Sequence, residues 1–296
     1  MKSVDAPIIL AHSISPEGIE LITWQLRYWR PIHSELMTHR VFSRNAGSSR
    51  ARPSQAIIDQ VMRDPWGPLH WGANQAGMQA ETELTDAKKD LAERRWRTAA
   101  TEAAFQAQDM NRIGAHKQIV NRLLEPFTYI DVVLSGTDFA NWYALRDHKD
   151  AQPEIRELAS LMKEVQAHSE PKLLEPGEWH LPYIGEEDWE AAENHLIGAN
   201  YPTATDTLEL LKKASAARCA RVSYKLFDGS KANFEADLEL FNRLLVSQPL
   251  HASPAEHQAT PDEYEWNTGY QHTSEHGNFR GWRQFRKTLP NEFVPG

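Results

Sequence analysis

The stretch from Glu20 to Tyr28 reads ELITWQLRY and alternates between apolar and polar side chains. Its apolar positions share one face of an extended chain: Ile22, Trp24, Leu26 and Tyr28. A period of two predicts a half-buried β-strand. Together with the helical patterns that follow it, this strand indicates an α+β fold with a mixed or antiparallel sheet packed against several helices.

Four other stretches predict helices. Residues 85–108 are rich in Ala, Glu and Arg and contain no Gly or Pro. Residues 117–124 form a shorter candidate. Residues 151–167 and 234–245 place apolar side chains three or four positions apart, the spacing of an amphipathic helix.

The chain divides into three parts at this level. Residues 1–172 form the first part and contain most of the motifs described below, including His39-Arg40 and Ser48. Residues 173–213 contain Gly, Pro and many acidic residues, which predicts an irregular connection. Residues 214–296 are expected to complete the same domain.

Composition excludes several classes of protein. The chain has 296 residues, a net charge of −9 and a pI of about 5.8, which disfavours a binder of polymeric nucleic acid. Its sequence predicts no transmembrane span and no secretory signal. A single cysteine, Cys219, rules out an internal disulfide framework and favours the cytoplasm.

Residues 39–50 read HRVFSRNAGSSR and are rich in side chains that can bind an anion. Three arginines, three serines, an Asn and a Gly follow an apolar segment. Arginine forks bind phosphate through paired hydrogen bonds, and amides beside a glycine complete an anion cradle. Composition alone also allows a solvated polar loop here.

The same stretch resembles the signature of the flavin-dependent thymidylate synthases. That signature is Arg-His-Arg, seven residues, then Ser; this chain has Thr38-His39-Arg40, seven residues, then Ser48. Arg50 follows as in the family, and Asn45 also matches. Thr38 replaces the first arginine of the signature.

Three further segments resemble elements of that family. Residues 117–126 read KQIVNRLLEP and resemble the helix that supplies a phosphate-binding arginine, here Arg122. Residues 141–146 read NWYALR and resemble its Asn-x-x-x-Leu-Arg element. Residues 251–257 read HASPAEH and, with the ARVS stretch at 220–223, resemble its flavin-contacting elements.

The order of these elements differs from the family. The ARVS and HASPAEH elements follow the signature here, whereas they precede it in the family. A circularly permuted, phage-like variant explains this order, since domain termini often lie close together. The stretch NFRGWRQFR at 278–286 then resembles the strand that leads into the signature, and Arg286 is a candidate for the arginine that Thr38 lacks. If the gene is phage-encoded, the expected location is the cytoplasm of the host cell.

The resemblance implies a role for each matched residue. Arg146 would be the catalytic residue, polarising the pyrimidine ring. Nucleotide binding would involve Glu35, Ser48, Ser49, Arg50, Arg122 and Arg146. Flavin binding would involve His39, Arg40, Asn45, Asn141, Ser223, His251, Ser253, Glu256 and Arg286. Arg146 also precedes a predicted helix, where the helix dipole disfavours a cation, which suggests a task other than helix stability. The spacing of His251, Glu256 and His257 matches no known metal motif, so a metal is not expected.

The implied activity is transfer of a one-carbon unit to C5 of a deoxypyrimidine monophosphate, most simply dUMP to dTMP. FAD, NADPH and methylenetetrahydrofolate would be required, in a homotetramer with sites between subunits. Glu35 stands where the family usually has Gln, and a carboxylate can accept from the amino group of cytosine. Methylation or hydroxymethylation of dCMP is therefore an alternative, and a non-catalytic nucleotide-binding homologue is another. Thiolate attack by Cys219 is disfavoured, because no matching motif surrounds it.

Overall fold

The computed structural model describes residues 1–197, 203–222, 233–245, 250–290 and 292. In these residues the strands are β1 Ile8–Ile14, β2 Glu20–Trp29, β3 Ser43–Ala46, β4 Tyr129–Gly136, β5 Lys172–Leu173, β6 Ala259–Pro261, β7 Tyr264–Glu265, β8 Gly269–Tyr270 and β9 Trp282–Gln284. The α-helices are α1 His33–Leu36, α2 Ser54–Arg63, α3 Asp86–Arg112, α4 Lys117–Val120, α5 Ala140–Arg146, α6 Pro153–Ala167, α7 Glu186–His195, α8 Ala204–Arg221, α9 Phe234–Leu245 and α10 Phe285–Thr288. Short 3-10 helices cover Arg30–Ile32, Ser49–Ala51, Asn121–Phe127, Ser253–Glu256 and Thr273–Glu275.

The main sheet has five strands in the order β3-β4-β2-β1-β5. Its pairings are antiparallel except for β1 with β5, which is parallel. The remaining described strands form two-stranded pairs, β6 with β9 and β7 with β8. The prediction of an α+β fold with a mixed sheet and several helices is confirmed.

Strand β2 lies at the centre of the sheet, as its alternation predicts. Its apolar face packs against helices α5 and α6 in one buried cluster that includes Trp24, Leu26, Trp142, Leu158 and Met162. The polar face is also covered, since Thr23 is fully buried. The expectation of a half-buried strand is therefore wrong for this face, because Tyr183 and helix α8 pack over it and Tyr183 donates to Gln25 at 2.8 Å.

The predicted helices at 85–108, 151–167 and 234–245 correspond to α3, α6 and α9. The fourth, at 117–124, is α-helical only through Val120 and continues as a 3-10 helix that contains Pro126. Proline lacks the N–H that an α-helical hydrogen bond requires, which favours the change of geometry.

The expectation of an irregular connection is wrong for 186–195 and 204–213, which belong to α7 and α8. A buried ion pair holds the two helices together, since Arg218 donates from two nitrogens to Asp188 at 2.8 and 2.6 Å. The acidic residues that suggested a solvated linker thus include a structural partner. The division into three parts stays a prediction.

Among the described helices, none combines the length and the apolar character that crossing a membrane requires.

Candidate active site

The signature segment and helix α5 meet at Arg146. The guanidinium donates from Nε to Nε2 of His39 at 3.0 Å and from Nη1 to Oε2 of Glu35 at 2.7 Å. It also donates from Nη2 to the hydroxyl of Thr38 at 3.1 Å. We call Glu35, Thr38, His39 and Arg146 the Arg146 cluster. It joins residues that lie more than one hundred positions apart in the chain.

His39 is held as a neutral ring in this cluster. The residue is 6% exposed and its ring lies edge-on to Trp142, with centroids 4.9 Å apart. Burial and then the charge of Arg146 lower the pKa of His39. Because Nε2 accepts the hydrogen bond from Arg146, the ring proton must lie on Nδ1. The imidazole therefore acts as a fixed acceptor that orients the guanidinium.

The position of Arg146 corrects one sequence argument. Arg146 is the last residue of α5 and not a residue at a helix start. A cation is favourable at a helix C-terminus, so the dipole gives no reason to look for another role. Its candidacy rests instead on the Arg146 cluster, where one guanidinium contacts three polar partners.

Two further predicted residues, Ser49 and Arg122, meet on the carboxylate of Glu125. The hydroxyl of Ser49 donates to Oε1 at 2.6 Å, and Arg122 donates from Nη1 to both oxygens, at 2.9 and 3.1 Å. Arg30 approaches from a third side, with Nη1 3.8 Å from Oε1. We call Arg30, Ser49, Arg122 and Glu125 the anion cluster. Its donors surround a negatively charged group, as the donors of a phosphate site do.

Arg30 is the least exposed arginine of the anion cluster. It donates from Nη2 to the carbonyl of Gly47 at 2.9 Å, and its buried Nε has no hydrogen-bond partner among the described residues. Burial lowers the pKa of Arg30, against the opposing effect of Glu125. A buried N–H donor without a partner is costly unless a ligand supplies an acceptor.

Asn45 and Ser253 meet at the buried ring of His257. The orientation of the Asn45 amide that satisfies its neighbours places the nitrogen 3.1 Å from the carbonyl oxygen of Ser253 and 3.2 Å from Nε2 of His257. Asn45 belongs to β3, and Ser253 begins a 3-10 helix over 200 positions later. The signature segment and the HASPAEH segment are thus adjacent in space.

Arg286 has partners of its own. It pairs with Glu256, and its Nε donates to Glu292 at 2.8 Å. These partners differ from Thr38, so within one chain the structure does not place Arg286 in the vacancy left by the missing signature arginine. The segment that carries it nevertheless packs on the signature, because Asn278 accepts from Ser43 at 2.9 Å and donates to the carbonyl of Val41 at 2.9 Å.

The other predicted residues lie at the surface of the single chain. Ser48 is exposed and its hydroxyl accepts from the backbone N–H of Arg50 at 3.3 Å. The remaining exposed ones are Arg40, Arg50, Asn141 and His251. Ser223 falls outside the described residues.

Sequence reasoning missed Arg30 and Glu125. Arg30 directly follows the central strand, and Glu125 lies three positions after Arg122, one helical turn away. A charged residue directly after a buried strand is a signal that sequence analysis can use, because such a side chain lies at the end of the strand, where ligands can reach it. The pairing with Glu125 needs the three-dimensional structure.

Comparisons with known proteins give partial similarity only. No family model matches the sequence, and no curated protein matches it. Among solved structures, a UMP/dUMP methylase PolB from Streptomyces cacaoi bound with 5-Br UMP has a TM-score of 0.44 and 18% identity, over 57% of this chain and 90% of that chain. A structure of that methylase bound with 5-Br dUMP has a TM-score of 0.40 and 20% identity, over 50% of this chain and 67% of the other. The assignment of function therefore rests on the side chains of this chain.

Proposed function

We propose that this chain transfers a one-carbon unit from methylenetetrahydrofolate to C5 of a deoxypyrimidine monophosphate in a flavin-dependent reaction. The observation that carries the proposal is the Arg146 cluster. In it, the arginine of the NWYALR element contacts the signature residues Thr38 and His39. Two motifs recognised separately in the sequence thus contribute to one constellation.

The role of Arg146 follows from its hydrogen bonds. A guanidinium has five N–H donors. The described contacts need only one of the two hydrogens on Nη1, which leaves the other for a ligand. Neutral His39 and Thr38 hold the group in place, so little reorganisation is needed when negative charge develops on a pyrimidine carbonyl. Fixed donors of this kind stabilise a transition state.

The anion cluster would bind the nucleotide phosphate. Arg30, Arg122 and Ser49 supply donors, and the carboxylate of Glu125 now occupies the position between them. A phosphate carries more charge and more acceptor oxygens than a carboxylate. Its binding would therefore displace Glu125 and supply an acceptor for the unpartnered Nε of Arg30.

The donors present suit FAD as the cofactor. Arg221, two positions before Ser223, keeps Nε and Nη1 buried with no hydrogen-bond partner in the described part of the chain. Orphaned guanidinium donors fit a ligand with phosphate oxygens. Arg40, Asn141, His251 and Ser253 would add surface contacts, Asn45, Glu256 and Arg286 would shape the adjoining turn, and His39 would line the site. Bound FAD, reduced by NADPH, would mediate the transfer and supply hydride.

A homotetramer with sites between subunits is part of the proposal. The support is the exposure of four residues that match flavin- or nucleotide-binding positions: Arg40, Arg50, Asn141 and His251. If a ligand is bound between two subunits, the side chains that contact it are exposed when a single subunit is considered by itself.

The identity of the base depends on Glu35. Its carboxylate lies 2.7 Å from Arg146, beside the group proposed to hold the pyrimidine ring. A carboxylate accepts from the amino group of cytosine and finds no donor at O4 of uracil. We propose dUMP as the substrate and keep dCMP as the second candidate because of this contact.

Flavin binding tests the proposal at its first step. Purified protein is dialysed to equilibrium against FAD, and the retained flavin is measured by its absorbance. Light scattering on the same sample gives the mass of the assembly. We expect stoichiometric FAD and a tetramer. Protein that retains no FAD contradicts the flavin-dependent activity.

A further inference from the structure

Six polar side chains cross the interior of the protein as one hydrogen-bonded chain. In order they are Asn45, His257, Ser135, Thr23, His180 and Ser13. Four of them come from β3, β4, β2 and β1, which is the order of these strands in the sheet. We call this set the polar chain. Only the end at Asn45 and the histidine beside it lie within the segments discussed above.

The hydrogen bonds between the buried members of the polar chain are short. His257 Nδ1 lies 2.8 Å from Ser135 Oγ, and Ser135 Oγ lies 2.6 Å from Thr23 Oγ1. His180 continues the path, with Nε2 2.8 Å from Thr23 and Nδ1 2.8 Å from Ser13. The two rings are 0% and 1% exposed. Water therefore does not compete for these hydrogen bonds.

Both rings are neutral at neutral pH. Burial lowers the pKa of His180 and the pKa of His257 to about 3 each. A neutral imidazole donates at one nitrogen and accepts at the other, and a hydroxyl has a single hydrogen to donate. The direction of one hydrogen bond in the polar chain therefore fixes the direction of the next.

Only two arrangements satisfy every link of the polar chain. All hydrogen bonds run from Asn45 to Ser13, or all run the opposite way. A mixed arrangement leaves a buried O–H without an acceptor, or brings two lone pairs together across the 2.6 Å contact between Ser135 and Thr23. Either defect is costly in a buried site.

Either arrangement gives the two histidines the same tautomer. If the hydrogen bonds run from Asn45 to Ser13, the protons of His257 and His180 both lie on Nδ1; if they run the opposite way, both lie on Nε2. In the orientation of Asn45 that satisfies its neighbours, the amide nitrogen lies 3.1 Å from the carbonyl oxygen of Ser253, 3.2 Å from that of Arg44 and 3.2 Å from Nε2 of His257. The tautomer of His257 and the hydrogen bonds of Asn45 are therefore linked.

We propose that His180 is a positioning residue for the candidate site. Through Thr23 and Ser135 it fixes the tautomer of His257, and thereby the hydrogen bonds that hold Asn45 beside the turn at Ser253. Its backbone acts on the same segment, since His180 N donates to the carbonyl of Ala259 at 2.8 Å. The link to flavin binding rests on the function proposed above, but the link between the two rings does not.

Neutron diffraction from perdeuterated crystals tests the link between the rings. We expect deuterium on the same nitrogen of His180 and His257, either Nδ1 in both rings or Nε2 in both. Deuterium on different nitrogens of the two rings, or on both nitrogens of either ring, overturns the proposal. This result does not depend on FAD binding.

A pair of variants tests the link to the site. Thr23→Val removes the hydroxyl with little change of shape, and Thr23→Ser keeps it as the matched control. We expect Thr23→Val to raise the FAD dissociation constant about fivefold, the effect of one lost hydrogen bond, and Thr23→Ser to stay near wild type. Equal affinities for the two variants, both folded by circular dichroism, overturn the positioning role. If Thr23→Val does not fold, the neutron result decides. Absence of FAD binding in the wild type contradicts the proposed function. In that case the neutron experiment still tests whether the tautomers of His180 and His257 are coupled.

Discussion

The guanidinium of Arg146 donates from Nε to Nε2 of His39 at 3.0 Å, across 107 positions of sequence. This contact fixes the protonation of the imidazole and the plane of the guanidinium together. The Thr38 hydroxyl accepts from the same guanidinium, at 3.1 Å.

Arg146→Lys should lower turnover more than it lowers nucleotide affinity. Lysine keeps the charge but has no fork, so it cannot contact Glu35, Thr38 and His39 at once. Loss of one preorganised donor costs about 3 kcal/mol, or roughly a hundredfold in kcat. Steady-state kinetics with flavin content measured alongside give the result.

Arg50→Ala is the matched control for that change. Arg50 is exposed beside the anion cluster, and its proposed partner is a phosphate whose charge stays constant through the reaction. Uniform binding of this kind acts on KM. Unchanged turnover in Arg146→Lys, with equal rises in KM for both variants, would make Arg146 a binding residue only.

Glu35→Gln should shift base preference toward dUMP. The Gln amide still accepts from Arg146 through its oxygen and can donate to O4 of uracil, which the carboxylate cannot. One such pair is worth about 1–3 kcal/mol of discrimination, so the ratio of kcat/KM for dUMP over dCMP should rise about tenfold. Glu125→Gln neutralises a carboxylate at the anion cluster and should leave that ratio unchanged. An unaltered ratio in Glu35→Gln places Glu35 away from the base.

Cys219→Ser should retain most of the activity. The thiol is fully buried, and burial raises the pKa of Cys219, so the nucleophilic thiolate is disfavoured. The Cys219 side chain packs against Val133, Tyr183 and Val222 in one buried cluster. Initial rates and thermal unfolding of the variant separate catalysis from packing. A loss of several orders of magnitude with the fold intact indicates attack by the thiolate at C6.

Acidification should destabilise the fold from about pH 6.5 downward, before most carboxylates titrate. His180 and His257 have pKa values lowered to about 3 in the folded protein, whereas histidine in an unfolded chain titrates near 6.5. The unfolded state therefore binds more protons below pH 6.5, and stability falls by about 1.4 kcal/mol per pH unit for each ring. Urea unfolding between pH 7 and pH 4.5 measures this slope. His180→Gln should reduce it by the share of one ring, and an identical slope in the variant contradicts the neutral state assigned to His180.

The sequence predicted the central strand and the long helices because their patterns are local. β2 shows a strict period of two, and α6 shows helical spacing over four turns. The resemblance names Glu35, His39 and Arg146 as site residues because they lie in or near short contiguous motifs, but it does not predict the hydrogen bonds between them.

The features that escaped prediction depend on contacts between distant segments. The Gly, Pro and acidic residues around α7 predict an irregular connection, whereas Asp188 in this helix is buried against Arg218. His180 gave no signal in the sequence, since nothing nearby indicates that it will meet Thr23 beneath the sheet. Arg30 and Glu125 likewise come together only when the chain folds, because Glu125 lies far along the sequence from Arg30 and Ser49.

Product analysis tests the central claim most directly. The protein is incubated with FAD, NADPH and methylenetetrahydrofolate, with dUMP in one reaction and dCMP in another, and the nucleotides are identified by mass spectrometry. Parallel reactions omit FAD or use Arg146→Lys. We expect dUMP to gain a methyl group only when FAD is present, and the Arg146→Lys reaction to be strongly slowed. If neither nucleotide is modified by flavin-loaded protein, or if the product forms equally without flavin, the proposed activity is wrong.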